Sequence, residues 1–272
     1  MRAKITRVWL LAVDEVMRLL STRRGLLSLL GFALLWVAVM YYGILPAASW
    51  FSGASETGLS DLILPRFGLE AWQKWPAPEL AVYWIVCLYL LPFLAVLTAA
   101  DQTASDRSRG TLRYLSLRSS RLQIYMGRFL GQCIILTLVV LLSLASVIVI
   151  VAFNTPEKIQ AVFASSPMII TNLVLLLLPY IALMALVSAM ARSARQATLY
   201  AMILWIGVSL LVAFIQSRFG GLAVLDWVLP GSQVKQLVQL SDWQSLSLAP
   251  IPLVHTTVLL IVGGFIMQWR DL

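Results

Sequence analysis

The sequence carries very little charge. Asp, Glu, Lys and Arg make up 12% of its 272 residues, whereas soluble globular domains carry about 25%. Hydrophobic residues account for 60% of the chain, and the mean hydropathy is +0.89. Together these values exclude a disordered chain, a coiled coil and an ordinary cytosolic enzyme. Only a surface in contact with lipid needs so little charge, so the composition predicts a polytopic membrane protein.

Residue types that build catalytic and metal sites are also scarce. The chain has one histidine, His255, and two cysteines, Cys87 and Cys133. No Met or Cys pair has the spacing of metal ligands, and no Ser-His or paired-acid arrangement lies within an apolar segment. None of the four lysines follows a glycine, so the Gly-Lys-Ser/Thr core of an ATP-binding P-loop is missing. We therefore predict no metal site and no enzymatic activity, and any ATP and Mg²⁺ would bind to another chain.

Long apolar runs dominate the sequence. A bilayer core about 30 Å thick requires about 20 apolar residues per helix. Six segments meet this requirement: Leu26–Leu45, Leu80–Ala100, Phe129–Phe153, Met168–Met190, Thr198–Gln216 and Pro252–Trp269. No segment shows the alternation of polar and apolar residues that is typical of a transmembrane β-strand. The predicted fold is an all-α polytopic membrane protein with six transmembrane helices.

The basic residues predict the orientation of these spans. Fifteen of the 20 Lys and Arg precede span 1, follow span 6, or lie in the loops after spans 2 and 4. Because cytoplasmic loops are enriched in Lys and Arg, both termini are predicted to be cytoplasmic. The net charge of +8 is then a topology signal, and we predict no nucleic-acid binding. The external loops are 46–79 and 217–251, and the latter is predicted to form short helices broken at Pro230-Gly231.

Residues 1–24 are predicted to form an N-terminal element separate from the six-span domain 25–272. Charged residues recur on one helical face at Lys4, Arg7, Asp14 and Arg18. Apolar residues on the other side predict an amphipathic helix in the cytoplasmic interface, with Trp9 among the lipid headgroups. Two roles stay open: a lipid anchor, or an anchor whose polar face also touches a cytoplasmic partner. Because Asp14 and Glu15 interrupt this segment, we do not expect a cleaved signal peptide.

The cytoplasmic loop 101–128 between spans 2 and 3 mixes apolar and basic residues. Its candidate docking residues are Asp106, Arg107, Arg109, Gly110, Thr111, Leu112, Arg113, Tyr114 and Leu115. Apolar anchors with an arginine rim are typical of a short helix that docks into a protein groove. A solvated loop whose leucines rest on lipid explains the same composition equally well.

This loop resembles the first cytoplasmic loop of ABC-2 type permeases. The matching motifs are Asp106-Arg107, Gly110-Thr111-Leu112, Arg121 and Gly127-Arg128. The chain ends are similar to the family as well, at Glu15-Val16, Arg23-Arg24 and Trp269-Arg270-Asp271-Leu272. Arg118 departs from the family by replacing a frequent proline, Asp106 by replacing a commoner glutamate, and Arg128 by replacing a commoner lysine. The order of elements is most similar to permeases of nitrous-oxide-reductase accessory and multidrug-type exporters.

The resemblance implies a half-transporter in a bacterial cytoplasmic (inner) membrane. It implies pairing with a second permease chain, as a homodimer, and binding of two ABC ATPase subunits that hold the ATP and Mg²⁺. Loop 101–121 would contain the coupling helix that contacts the ATPase. An additional extracytoplasmic partner is compatible with this assembly, and membrane lipid surrounds it.

Two other functions are open from the sequence. An ion-coupled secondary transporter would carry an inverted repeat and charges at the midplane of its spans, and the sequence shows neither. A non-transporting membrane scaffold subunit would need no cavity between spans. The residues do not identify the cargo or the direction of transport.

Overall fold

The structure, a computed structural model, describes residues 2–56, 74–104, 106, 110–219 and 227–269. Almost all of these residues are helical, and no strand occurs among them. The α-helices are α1 Arg2–Ser21, α2 Arg23–Val39, α3 Leu45–Glu56, α4 Pro78–Thr98, α5 Thr111–Ser116, α6 Arg121–Asn154, α7 Ile159–Met190, α8 Ala194–Phe219, α9 Val234–Leu237 and α10 Pro250–Trp269.

Six helical segments are long and apolar enough to cross a membrane. In chain order, spans 1 to 6 are Gly25–Gly53, Pro78–Asp101, Arg121–Asn154, Pro156–Met190, Ala194–Arg218 and Trp243–Trp269. The prediction of an all-helical protein with six spans is confirmed. The observed spans extend beyond the predicted ones. Hydropathy detects only the apolar part of a helix, whereas polar residues continue or cap the helix at its ends.

Span 1 is divided into two halves by a π-helical turn at Met40–Ile44. The first half, α2, begins after Thr22, whose Oγ1 accepts a hydrogen bond from the backbone N–H of Gly25 (3.1 Å). The second half, α3, packs against span 2. Residues 46–56, which the sequence places in the first external loop, therefore continue the helix, and residues 57–73 of that loop lie outside the described part of the chain.

Span 3 starts well before the predicted Phe129. Ser120 caps its first turn, because the Ser120 hydroxyl accepts from the backbone N–H of Gln123 and the Gln123 side chain accepts from the backbone N–H of Ser120. This reciprocal capping satisfies two N–H groups that a helix start leaves unpaired. The helix therefore begins at Arg121, and Arg128 lies inside it rather than in a loop.

Span 4 is the centre of the bundle. Of its most apolar window, 78% is buried within the chain, against 11% for span 5 and 17% for span 1. Polar side chains join span 4 to its neighbours: Asn172 Nδ2 donates to Ser245 Oγ of span 6 at 2.9 Å. Spans 1 and 5 present apolar surface outward, as helices facing lipid do.

The two ends of the bundle differ in construction. At one end lie α1, the residues after span 2 and the last turn of span 6, where Arg121 Nη1 donates to the backbone carbonyl of Gln268 (3.0 Å). At the other end lie α9, in the segment between spans 5 and 6, and a 3₁₀ helix, Trp243–Leu248, at the start of span 6. Trp84 Nε1 donates to the carbonyl of Leu237 (3.1 Å), which fastens that segment to span 2.

Candidate functional site

The N-terminal helix α1 packs directly on span 3 through two glycines. A Cβ atom at Gly127 would lie 2.5 Å from Leu11 Cβ, and one at Gly131 would lie 2.6 Å from Glu15 Cβ. Small residues four apart let two helix backbones approach closely. The α1 helix is thus held against the bundle and does more than rest on lipid, while Trp9 and Arg7 on its other side remain exposed.

Replacement of Gly131 by valine should separate α1 from span 3. The added methyl groups would overlap Glu15 and the carbonyl of Ala12, and overpacking of this kind costs about 1–3 kcal/mol. We expect the free energy of unfolding in an SDS titration to fall by that amount. Gly207→Val is the matched control, because a Cβ at Gly207 meets no atom within 4 Å. Equal losses in the two variants would contradict the close packing of α1.

Arg128 lies at this helix crossing and is the centre of a charge cluster that consists of Asp14, Glu15, Arg18, Asp106 and Arg128. The Arg128 side chain is 4% exposed. Its Nη1 donates to Glu15 Oε2 and lies 3.8 Å from Asp14 Oδ2, and its Nη2 donates to Asp106 Oδ2 at 2.7 Å. Glu15 also accepts from Arg18 Nη2 at 2.6 Å.

The buried members of the cluster, Glu15, Asp106 and Arg128, form ion pairs where water is largely excluded. Glu15 and Asp106 are both buried, and a buried carboxylate is costly unless it is paired and hydrogen-bonded. Arg128 reaches both carboxylates because its planar guanidinium presents five N–H donors in a fixed fork. One side chain of span 3 thereby joins α1 to the segment that follows span 2.

Asp106 carries this connection on to the short helix α5. Thr111 Oγ1 donates to the Asp106 carbonyl (3.1 Å) and lies within bonding distance of Asp106 Oδ1 (3.2 Å). Gly110 precedes α5 with a φ of 71°, in the left-handed region that favours glycine. Asp106 is therefore hydrogen-bonded to the first residue of α5.

The segment before Asp106 is attached to span 4. Ser188 Oγ accepts the backbone N–H groups of Thr103 (2.9 Å) and Ala104 (3.1 Å), and Gln102 Nε2 donates to the carbonyl of Ile181 (3.1 Å). Gln102, Thr103 and Ser188 are all buried. A force applied at α5 would thus reach spans 3 and 4 and α1 through short polar contacts.

The α5 helix has a buried and an exposed side. Leu112 is 2% exposed and belongs to the core of the bundle, and Leu115 packs partly against the same core. Tyr114 and Leu117 are 76% and 82% exposed. Among the described side chains, Tyr114 and Leu117 with the exposed Arg118 are available to a partner, whereas Leu112 holds α5 to the bundle and does not itself point outward.

The predicted docking residues differ in their positions in the structure. Asp106, Gly110, Thr111, Leu112 and Leu115 form the attachment of α5 described above, and Tyr114 is exposed. Arg113 lies in α5. Lys4, a predicted residue of the interfacial helix, lies in α1. Arg107 and Arg109 lie outside the described residues. The docking interface itself stays a prediction.

Sequence reasoning missed the pairing of Glu15 and Asp14 with Arg128. Two signals were present in the sequence. Glu15 lies between Ala12 and Leu19 on the otherwise apolar side of α1, and Arg128 lies between the two glycines of Gly127-x-x-x-Gly131. A charge next to a small-residue pair at the end of a span indicates a partner helix that brings the opposite charge.

The fold and the charge cluster define a polytopic helical membrane subunit with an anchored helix at one end. The sequence model of one family, described as ABC-2 family transporter protein, matches residues 9–267. Since this match covers nearly the whole chain, the chain belongs to the ABC-2 transporter family, and the resemblance seen in the sequence is confirmed. It is the membrane subunit of an ABC transporter, and such permeases act with an ABC ATPase partner. No curated protein matches the chain.

Proposed function

We propose that this chain is the membrane subunit of an exporter whose transport step is driven by ATP hydrolysis in a separate ABC ATPase that binds α5. The observation that carries the proposal is the exposure of Tyr114 on α5 and of Leu117 directly after it, at an element that Asp106 and Arg128 attach to the bundle. Exposed aromatic and aliphatic side chains on a firmly held element are typical anchors of a protein interface.

The mechanism we infer is rigid-body switching between two packings of the spans. Closure of an ATPase dimer on ATP moves α5, and the contacts of Asp106 with Arg128 and of Ser188 with residues 103–104 pass the motion to spans 3 and 4. Because ATP-bound ATPases favour one packing, nucleotide shifts the population of the two states. This chain would hold neither ATP nor Mg²⁺, which bind in the ATPase.

The proposed assembly contains two copies of this chain and two ATPase subunits, related by twofold symmetry as most homodimers are. In this assembly the exposed apolar surfaces of spans 1 and 5 are divided between lipid and the second copy. The end that carries α1 and α5 would face the cytoplasm of a bacterial cell, in agreement with its basic residues. A role as a transporter subunit is favoured over a scaffold, because a passive scaffold gains nothing from polar contacts that join α5 to three helices.

Purification of the tagged full chain from mild detergent tests this proposal. We expect a P-loop ATPase to co-purify in equal amount, and the reconstituted complex to hydrolyse ATP with nucleotide supplied on the side that carries α1. A proton ionophore should leave this hydrolysis unchanged, which an ion-coupled transporter would not predict. Recovery of the chain without any P-loop protein, under conditions that preserve its dimer, would contradict the proposal.

A further inference from the structure

A cleft of about 790 Å³ lies between the α2 half of span 1 and spans 2 and 3. Apolar side chains from all three spans form its walls: Leu29, Phe32, Leu35, Leu94, Leu97, Ile135, Leu136 and Val139. The cleft exists because α2 stands apart from spans 2 and 3 along most of its length, whereas α3, after the π-helical turn, packs against span 2. Leu35 and Leu97 at its margin are 40% and 45% exposed, so the cleft is open at the side of the bundle.

Trp36, next to the cleft-lining Leu35, contacts both spans that neighbour span 1. Its Nε1 donates to Ser146 Oγ of span 3 at 2.9 Å, and its ring meets the ring of Tyr83 of span 2 edge to face, with centroids 5.9 Å apart. Span 1 is therefore held against both neighbours at this level.

One end of the cleft is polar and carries both signs of charge. Glu15, Arg18, Thr22, Ser28, Thr98, Asp101 and Gln132 line it. Arg18 uses Nη2 to bond Glu15, and its side chain is 30% exposed, so other N–H groups of its guanidinium can reach an anionic ligand. Asp101, at the end of span 2, supplies a carboxylate on another wall.

This arrangement matches an amphiphile in shape and charge. The polar end lies level with α1, and the apolar walls extend from it toward the bilayer centre. Water finds no hydrogen-bond partners on apolar walls, so hydrocarbon is the favoured occupant of that part. The volume lies within the range of about 300–1,000 Å³ that ligand pockets span.

We propose that the cleft binds one phospholipid with a zwitterionic headgroup, taken from the leaflet that contains α1. One acyl chain follows the apolar walls, the phosphate lies at Arg18, and the ammonium group is directed toward Asp101. This site lies within a single chain, and its occupation requires neither ATP nor the ATPase.

Photolabelling of the full-length chain in nanodiscs tests the site. The probe is phosphatidylethanolamine with a diazirine on one acyl chain, and labelled peptides are identified by mass spectrometry. A Cβ at Gly31, which lines the cleft, meets no atom within 4 Å, and the same holds for Gly207 on span 5, outside the cleft. A side chain can therefore leave the backbone at both positions without meeting a neighbour, but only Gly31→Phe places its ring beside the cleft.

We expect the wild-type chain and Gly207→Phe to be labelled in the wall segments 29–35, 94–97 and 135–139. In Gly31→Phe this labelling should fall about tenfold, the effect of losing about 1.4 kcal/mol of binding free energy. Equal labelling of the two variants would overturn the proposal. So would a wild-type chain with no label in these segments, as expected if a second copy of the chain filled the cleft.

Competition identifies the headgroup. Unlabelled phosphatidylethanolamine should displace the probe, whereas diacylglycerol with the same acyl chains should require about tenfold more. Equal competition by diacylglycerol, or stronger competition by anionic phosphatidylglycerol, would overturn the assignment of a zwitterionic lipid. Because no ATPase is present, failure here would leave the proposed function untouched, and failure of ATPase binding would leave the lipid site untouched.

Discussion

Replacement of Arg128 by methionine should lower the free energy of unfolding by about 3–5 kcal/mol, the cost of removing one partner from a buried ion pair. Methionine fills a similar space, so the loss comes from charge. Glu15 and Asp106 would remain buried without the guanidinium that donates to both. SDS titration of the purified chain, followed by circular dichroism, measures the difference.

A triple variant separates charge from packing. Arg128→Met combined with Glu15→Gln and Asp106→Asn leaves neither of the two buried carboxylates without a partner, and it should regain most of the lost stability. Arg118→Met, at an exposed arginine after α5, should change stability by no more than about 0.5 kcal/mol. If the triple variant were as unstable as Arg128→Met alone, the cluster would not stabilise the chain through charge pairing.

Replacement of Tyr114 and Leu117 by serine should abolish binding of the ATPase while leaving the bundle intact. Both side chains are exposed, so their loss removes nothing from the core. Removal of two interface anchors costs about 2–4 kcal/mol, which corresponds to a loss of more than tenfold in affinity. The measurements are the amount of co-purified ATPase and the ATP hydrolysis of the reconstituted complex.

Phe153→Ser is the matched control for this variant. Phe153 is 85% exposed, but it lies near the far end of span 3, away from α5. It should retain the full amount of bound ATPase. Leu112→Asp is not equivalent, because Leu112 is buried and a charge there would detach α5 from the bundle. Undiminished ATPase binding by the Tyr114/Leu117 variant would exclude α5 as the docking element.

The six spans, the N-terminal helix and the short helix after span 2 could all be predicted from the sequence, because each depends on a local pattern. Hydropathy over about 20 residues defines a span, and the spacing of Lys4, Arg7, Asp14 and Arg18 defines an amphipathic helix. Orientation of the bundle end relative to the cytoplasm remains a prediction from the basic residues.

The contacts that form the candidate site could not be predicted, since they join residues that are distant in sequence. Glu15 and Arg128 are 113 residues apart, and no local pattern pairs them. The burial of Leu112 on one side of α5 could not be predicted either. A helix of six residues is too short for periodicity to show which face is buried. The cleft beside span 1 depends on where α2 separates from spans 2 and 3, and this position cannot be predicted from composition.

The π-helical turn at Met40–Ile44 has a consequence for how this protein can vary. Each residue advances an α-helix by about 100°, and one residue accommodated in a wider turn rotates everything beyond it by that angle. Insertion or deletion of a residue at this turn would rotate α3, Leu45–Glu56, about its own axis. The orientation of α2, Arg23–Val39, would stay the same. The two halves of span 1 can therefore change orientation independently. Substitutions can alter the lipid-facing cleft beside α2 without altering the packing of α3 on span 2.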